Sequence, residues 1–156
     1  MSTLKNKPGS CLIHANCVQV NEAGILLRGV PGSGKSDLTL CITERGGSLV
    51  ADDQVELSRR GAQLIARAPD NISGLIEIRG IGVIPTPFIK ETAVALIVDL
   101  VPPDQVDRLP EPEFCEILDV QLPLLKLAPF EISAVTKLFL ALKMAQTETV
   151  TDENSL

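Results

Sequence analysis

The stretch Gly29-Val30-Pro31-Gly32-Ser33-Gly34-Lys35-Ser36 decides how this chain is read. It satisfies G-x-x-x-x-G-K-[ST], a pattern whose glycines let backbone wrap a phosphate while the lysine reaches the terminal oxygens and the hydroxyl faces a divalent cation. Eight residues also match by chance, so the flanks carry the argument. Gly24-Ile25-Leu26-Leu27-Arg28 is a short apolar strand candidate. Ser36 to Arg45 has helical character, with Leu38, Leu40, Cys41 and Ile42 as the expected apolar side and Gly46-Gly47 as the stop. Strand, glycine loop and helix, in that order, aim N–H groups and a helix N-terminus at one anion.

Downstream, Ser48-Leu49-Val50-Ala51-Asp52-Asp53 reads as a strand ending in two adjacent carboxylates. The helix before it is just long enough for a crossover, which would bring the Asp pair beside the glycine loop. Gln54 to Ala68 has the loose alternation of a hairpin turning at Arg60-Gly61, and Pro69 to Ser73 reads as loop. Gly74 to Ile84, GLIEIRGIGVI, mixes β-branched residues with glycines and sets Glu77 and Arg79 on one face if extended. Ala93 to Val101 is a nearly continuous apolar run, as in a buried strand.

Prolines recur from Pro102 to Pro129, which predicts loop with short strands at most. Ser133 to Ala145 is helical, with Val135, Leu138, Leu142 and Ala145 on one face. No repeat or linker divides the chain. The reading is one α/β domain over residues 1–145 and a polar, disordered tail over 146–156.

Composition sets bounds on function. The 156 residues are 45% hydrophobic and 22% charged, enough for a core without disulfides or a structural metal. No apolar run nears the roughly 18 residues of a membrane span, and the N-terminus lacks the apolar core of a secretory signal, so a cytoplasmic protein without a membrane partner is expected. A net charge of -6, no basic run, and no Trp or Tyr argue against nucleic acid as a partner. Cys11, Cys17, Cys41 and Cys115 lack zinc-ligand spacing and are expected to be reduced and buried.

Lys35 would set its charge at the β- and γ-phosphates and Ser36 would offer its hydroxyl to Mg²⁺. Two acidic strand ends compete for the remaining roles: Asp52-Asp53, and Asp99 after Ala95-Leu96-Ile97-Val98. The longer apolar run favours Asp99. The chemistry favours the pair, because phosphorylating an alcohol needs one carboxylate at the metal and another free to take the hydroxyl proton. Glu77 is equally readable as a metal ligand or as a strand ion pair with Arg79. By spacing alone, His14, the single histidine, and Arg108 read as ordinary surface or core residues.

Gly29 to Ser36, Leu49-Val-Ala-Asp-Asp53 and Glu77-Ile-Arg-Gly-Ile-Gly-Val-Ile84 together resemble the catalytic domain of HPr kinase/phosphorylase, from about Cys11 to Arg108 and loosely to Ala145. The resemblance implies a P-loop domain of the phosphoenolpyruvate carboxykinase-like kinase fold, a protein serine kinase that uses ATP and Mg²⁺. It implies HPr or a paralogous phosphocarrier as the partner and a homo-oligomer, a hexamer in typical members.

Carried over by position, the resemblance implies that Gly29, Val30, Pro31, Gly32, Ser33, Gly34, Lys35 and Ser36 bind the nucleotide. It makes Asp53 the proton shuttle and gives Ser36, Asp52 and Glu77 to the metal. His14 and Arg108 fall where the family has catalytic residues. Two departures stand out. The chain looks like a short form, the C-terminal catalytic domain without the family's additional N-terminal domain. The arginine- and glycine-containing loop tied to dephosphorylation is replaced by Leu127-Ala128-Pro129-Phe130-Glu131, which favours kinase over phosphorylase activity. A small-molecule kinase and a nucleotide-gated module that transfers nothing are the alternative functions.

Overall fold

The structure, a computed structural model, describes residues 9–154, with side chains as far as residue 147. The chain runs β1 (Ser10–His14), β2 (Asn16–Val20), β3 (Ala23–Arg28), α1 (Lys35–Glu44), β4 (Ser48–Ala51), β5 (Gln54–Arg60), β6 (Gln63–Arg67), β7 (Leu75–Ile78) and β8 (Gly82–Pro85). It continues through β9 (Glu91–Leu100), β10 (Glu113–Ile117), β11 (Val120–Leu127) and α2 (Ala134–Asn154). Nine strands form one mixed sheet, and β7 and β8 pair separately as a hairpin.

The ten-residue strand β9 is the spine. Its first residues, Glu91 to Ala93, pair antiparallel with β6, which continues outward to β5 and β1. Its second part pairs in parallel with β3 on one side and β11 on the other. The register with β3 shifts at Gly24, where the strands pass so close that a Cβ would lie 2.6 Å from the Thr92 methyl and 2.8 Å from the Ala93 carbonyl oxygen. Beyond the shift Leu96, Val98 and Leu100 face the helices with Ile25 and Leu27, while Ile97 and Leu26 face the other core with Val50, Val55 and Leu57. Both faces of the spine are therefore dry, as its continuous apolar run requires.

Because β2 is antiparallel to both β3 and β4, those two strands are parallel to each other, and α1 crosses over β2 to join them. Four parallel strands, β3, β4, β9 and β11, thus end at one edge, the edge where α/β proteins collect ligands. The chain next enters the glycine loop after β3, the Asp pair after β4, Pro102-Pro103 after β9 and Pro129-Phe130 after β11.

The strand–loop–helix unit, the hairpin and the buried strand stand where the sequence predicts them, and four expectations need correction. On α1 the buried residues are Lys35, Leu38, Thr39 and Ile42, spaced for one helical face, whereas Cys41 is exposed and Leu40 half-buried. All four cysteines are free, but only Cys17 is buried; the burial pushes its thiol far above the ordinary range. The proline-rich stretch contributes β10 and the eight-residue β11, a full member of the central sheet. Pro123 sits one residue before the ladder with β9 begins, so its missing N–H interrupts nothing on that side. Lastly, α2 continues past Ala145 to Asn154, through residues that include no Pro or Gly to stop it. Ser155 and Leu156, the end of the expected tail, lie outside the described residues.

No helix among the described residues is long and apolar enough to cross a membrane. The face of α2 that seals the core carries Leu138 at 0% exposure, while Leu140 on the outside is 58% exposed. Leu138→Ala should therefore cost about 2–5 kcal/mol in urea unfolding, and Leu140→Ala should stay within about 0.5 kcal/mol of the parent. Equal losses would mean that α2 packs on a different face.

Candidate active site

The glycine loop leaves β3 at Arg28 and enters α1 at Lys35. Gly34, the N-cap, has φ 104, and a Cβ there would lie 3.0 to 3.1 Å from Phe130 and Pro129. Only glycine takes that conformation at that spacing without displacing the wall behind it. No side chain caps the helix, which leaves its first N–H groups available to an anion. Lys35 is only 9% exposed; its Nζ donates to the carbonyls of Gly29 at 2.8 Å and Val30 at 3.3 Å, bracing the start of the loop against its end.

Beneath the loop lies a polar network that spacing could not reveal. Asn16, fully buried on β2, donates from Nδ2 to Asp52 Oδ1 at 2.8 Å and to Thr39 Oγ1 at 3.0 Å, and its Oδ1 accepts the Asp53 N–H at 2.9 Å. Thr39 in turn donates to the Lys35 carbonyl at 2.7 Å. Asp52 also accepts from Ser36 Oγ at 2.8 Å and from the Glu77 N–H at 2.9 Å. One carboxylate thus links the start of α1, the end of β4 and the β7–β8 hairpin. The sequence clue to Asn16 and Thr39 is slight: an amide at the start of a mostly apolar strand, and a threonine one turn beyond Lys35.

Asp53 has the same side chain and the opposite surroundings. Its backbone is left-handed, φ 66, a conformation that Asp tolerates better than most residues and that is held here by Asn16 below and by its own carbonyl accepting the Ala15 N–H at 3.2 Å. Its carboxylate lies outside the buried network. It is exposed and carries no hydrogen bond among the described residues.

Asp53 opens onto a cavity of about 450 Å³ whose polar lining is Asn16, Lys35, Ser36, Asp37, Glu77 and Arg79, with Pro31, Gly32, Gly34 and the Phe130 ring completing the wall. Glu77 and Arg79 both face it, and among the described residues they form no ion pair with each other. Asp99 is not there. It is bound in a fork by Arg28, Nε to Oδ1 at 2.7 Å and Nη2 to Oδ2 at 3.1 Å, and this pairing raises the guanidinium above its ordinary value. Of the two acidic strand ends, the cavity takes the Asp52-Asp53 one.

His14 is exposed at the end of β1, opposite Gln54, and does not line the cavity. Arg108 is exposed in the segment between β9 and β10, also away from it and without an ion pair among the described residues. Val30, Gly32 and Ser33 line a second, apolar cavity on the other side of the loop. Glu131 accepts from Lys137 Nζ at 2.7 Å, and Lys126 Nζ lies 3.8 Å from Glu113.

Asn16→Ala would remove one of three donors to the buried Asp52 carboxylate and take the side-chain acceptor from the Asp53 N–H. A loss of about 1–3 kcal/mol in denaturant unfolding is expected. Asn16→Asp should lose more at neutral than at acidic pH, because it sets a second carboxylate against Asp52. A pH-independent loss would sever the two residues.

Residues 8–146 match the family model described as the HPr Serine kinase C-terminal domain. The HPr kinase/phosphorylase of Geobacillus thermodenitrificans is 40% identical over 123 residues, 71% of this chain and 40% of that protein. That of Caldanaerobacter subterraneus is 38% identical over the same shares. The chain spans about two fifths of the length of the curated relatives it matches. The solved structure of the Hpr(Ser) kinase/phosphatase from Coxiella burnetii is similar with a TM-score of 0.75 at 26% identity, over 91% of this chain and 98% of that one.

Proposed function

The chain belongs to the HPr Serine kinase C-terminal domain family, and from that premise we propose that it transfers the γ-phosphoryl group of ATP, in the presence of Mg²⁺, to a serine of HPr or a paralogous phosphocarrier. The observation that carries this reading is the division of labour between neighbours: Asp52 buried and fully engaged, Asp53 free and facing the cavity beside Lys35 and Ser36.

The N–H groups of the glycine loop and of the first turn of α1 bind the phosphates, and Lys35 exchanges its loop carbonyls for phosphate oxygens. Ser36 donates its O–H hydrogen bond to Asp52, which turns its lone pairs outward. With Glu77 it offers the hard oxygen ligands that Mg²⁺ takes, so the donor set fits the ion. Mg²⁺, when bound, neutralises charge on the β- and γ-phosphates. Asp52, held by three donors, serves the metal through Ser36. Asp53 accepts the serine hydroxyl proton as the serine oxygen bonds to the γ-phosphorus and ADP leaves.

Forward transfer dominates. Phosphorolysis of phosphoserine would bring a second anion to this edge, and Leu127 to Glu131 supply no cation, while Lys126 is engaged by Glu113. His14 and Arg108 lie off the cavity and act, on this reading, only with the protein substrate or another subunit present.

Incubation with labelled ATP, Mg²⁺ and purified HPr should label HPr. Asp53→Asn should keep nucleotide affinity and lose about 10²–10⁴-fold in turnover. Nucleotide binding without transfer to HPr would instead support the regulatory module, and unimpaired transfer by Asp53→Asn would displace it as the base. Glu77→Gln, which weakens one hard ligand, should shift the Mg²⁺ dependence of transfer to higher concentration; an unchanged titration would take Glu77 out of the metal site.

A further inference from the structure

The loop separates two cavities of equal volume and opposite character. On the Asp53 side is the polar one; on the other, also about 450 Å³, is a cavity walled by Val30, Leu100, Pro102, Pro103, Pro129 and Phe130. They meet at Gly32 and Phe130, which line both. We propose that the apolar cavity holds the nucleobase of the bound nucleotide, with the Phe130 ring as its stacking face. This rests on the reading of the polar cavity as a phosphate site.

Three observations support it. The first is topology: β9 and β11 are parallel to β3, so the segments after them, Pro102-Pro103 and Pro129-Phe130, rise from the same edge as the glycine loop. The carboxyl ends of parallel strands are where such sheets seat a nucleotide. With Asp52 and Asp53 on the β4 side, a triphosphate running along the loop has its γ end toward Asp53 and its base toward β9 and β11.

The second is Phe130 itself, which is 71% exposed although its ring packs against Gly34. An aromatic face fixed on the loop and open to solvent is what a base needs; no contact within the described chain uses that face. The third is chemistry. The volume falls within the range of small-molecule sites, and the one ionisable residue on its rim, Glu131, is paired with Lys137 at 2.7 Å. The surface is thus apolar and close to neutral, suited to a heterocycle and unsuited to phosphate.

Titration calorimetry with Mg-ATP and with inorganic tripolyphosphate, which lacks base and sugar, tests this on the whole chain. Wild type should bind ATP more tightly than tripolyphosphate. Phe130→Ala should weaken ATP about 5- to 100-fold and leave tripolyphosphate within about twofold, and Phe130→Trp should keep the ATP affinity. Equal weakening of both ligands by Phe130→Ala, or no weakening of ATP, overturns the base pocket while leaving the phosphate site intact. Lys35→Ala is the control for the latter: if it left tripolyphosphate binding unchanged, the phosphate reading would fail and the base pocket with it.

Discussion

The arrangement of this site depends on one buried carboxylate. An ionised group withdrawn from water is tolerated only when its oxygens are hydrogen-bonded, and Asp52 meets that condition through Ser36, Asn16 and the Glu77 N–H. Those donors come from a helix, a strand and a hairpin, and the helix and the hairpin also meet in a small apolar cluster of Leu40, Leu49, Ile76, Ile78 and Ile84. Satisfying Asp52 therefore fixes the distance between the first turn of α1 and β7 more firmly than apolar packing, which is indifferent to small slides. Asn16 extends the constraint to Asp53 by holding its N–H, and so sets where the free carboxylate points.

Local signals made much of this fold legible. The glycine pattern between an apolar strand and a helix identified β3, the loop and α1, and a long apolar run identified β9, because each feature depends on neighbours in sequence. What escaped was set by distant partners. β11 reads as loop because prolines crowd its neighbourhood, and nothing local shows that Pro123 precedes its ladder with β9. β1 and β2 drew little notice because Asn16 and Gln19 dilute the pattern, although Asn16 is the centre of the polar network. At the site, the two acidic strand ends part ways: Asp99 follows the longer apolar run and is paired with Arg28, a partner 71 residues away, while Asp53 faces the cavity.

Asp52 and Asp53 also illustrate how neighbouring residues of one type come to opposite surroundings, one buried and hydrogen-bonded and the other exposed. Successive residues of an extended chain already face opposite ways, and Asp53 adds a left-handed backbone, φ 66. Such a conformation costs on the order of 1 kcal/mol, offset here by the Asn16 and Ala15 hydrogen bonds at either end of the residue.

The spine strand has a consequence for the order in which the chain acquires its shape. β3 finds β2 across a tight turn, but its other edge stays open until β9 has been made, and β9 in turn waits for β11. Parallel pairings between remote segments are slow to form, because the loop entropy is lost before the contacts are gained. On a ribosome, the glycine loop emerges before β9 and hangs from a strand with one unpaired edge, a surface prone to wrong partners. The final shape of the loop is therefore a late event in the life of the nascent chain, and acquiring it reports that the middle of the sheet has closed.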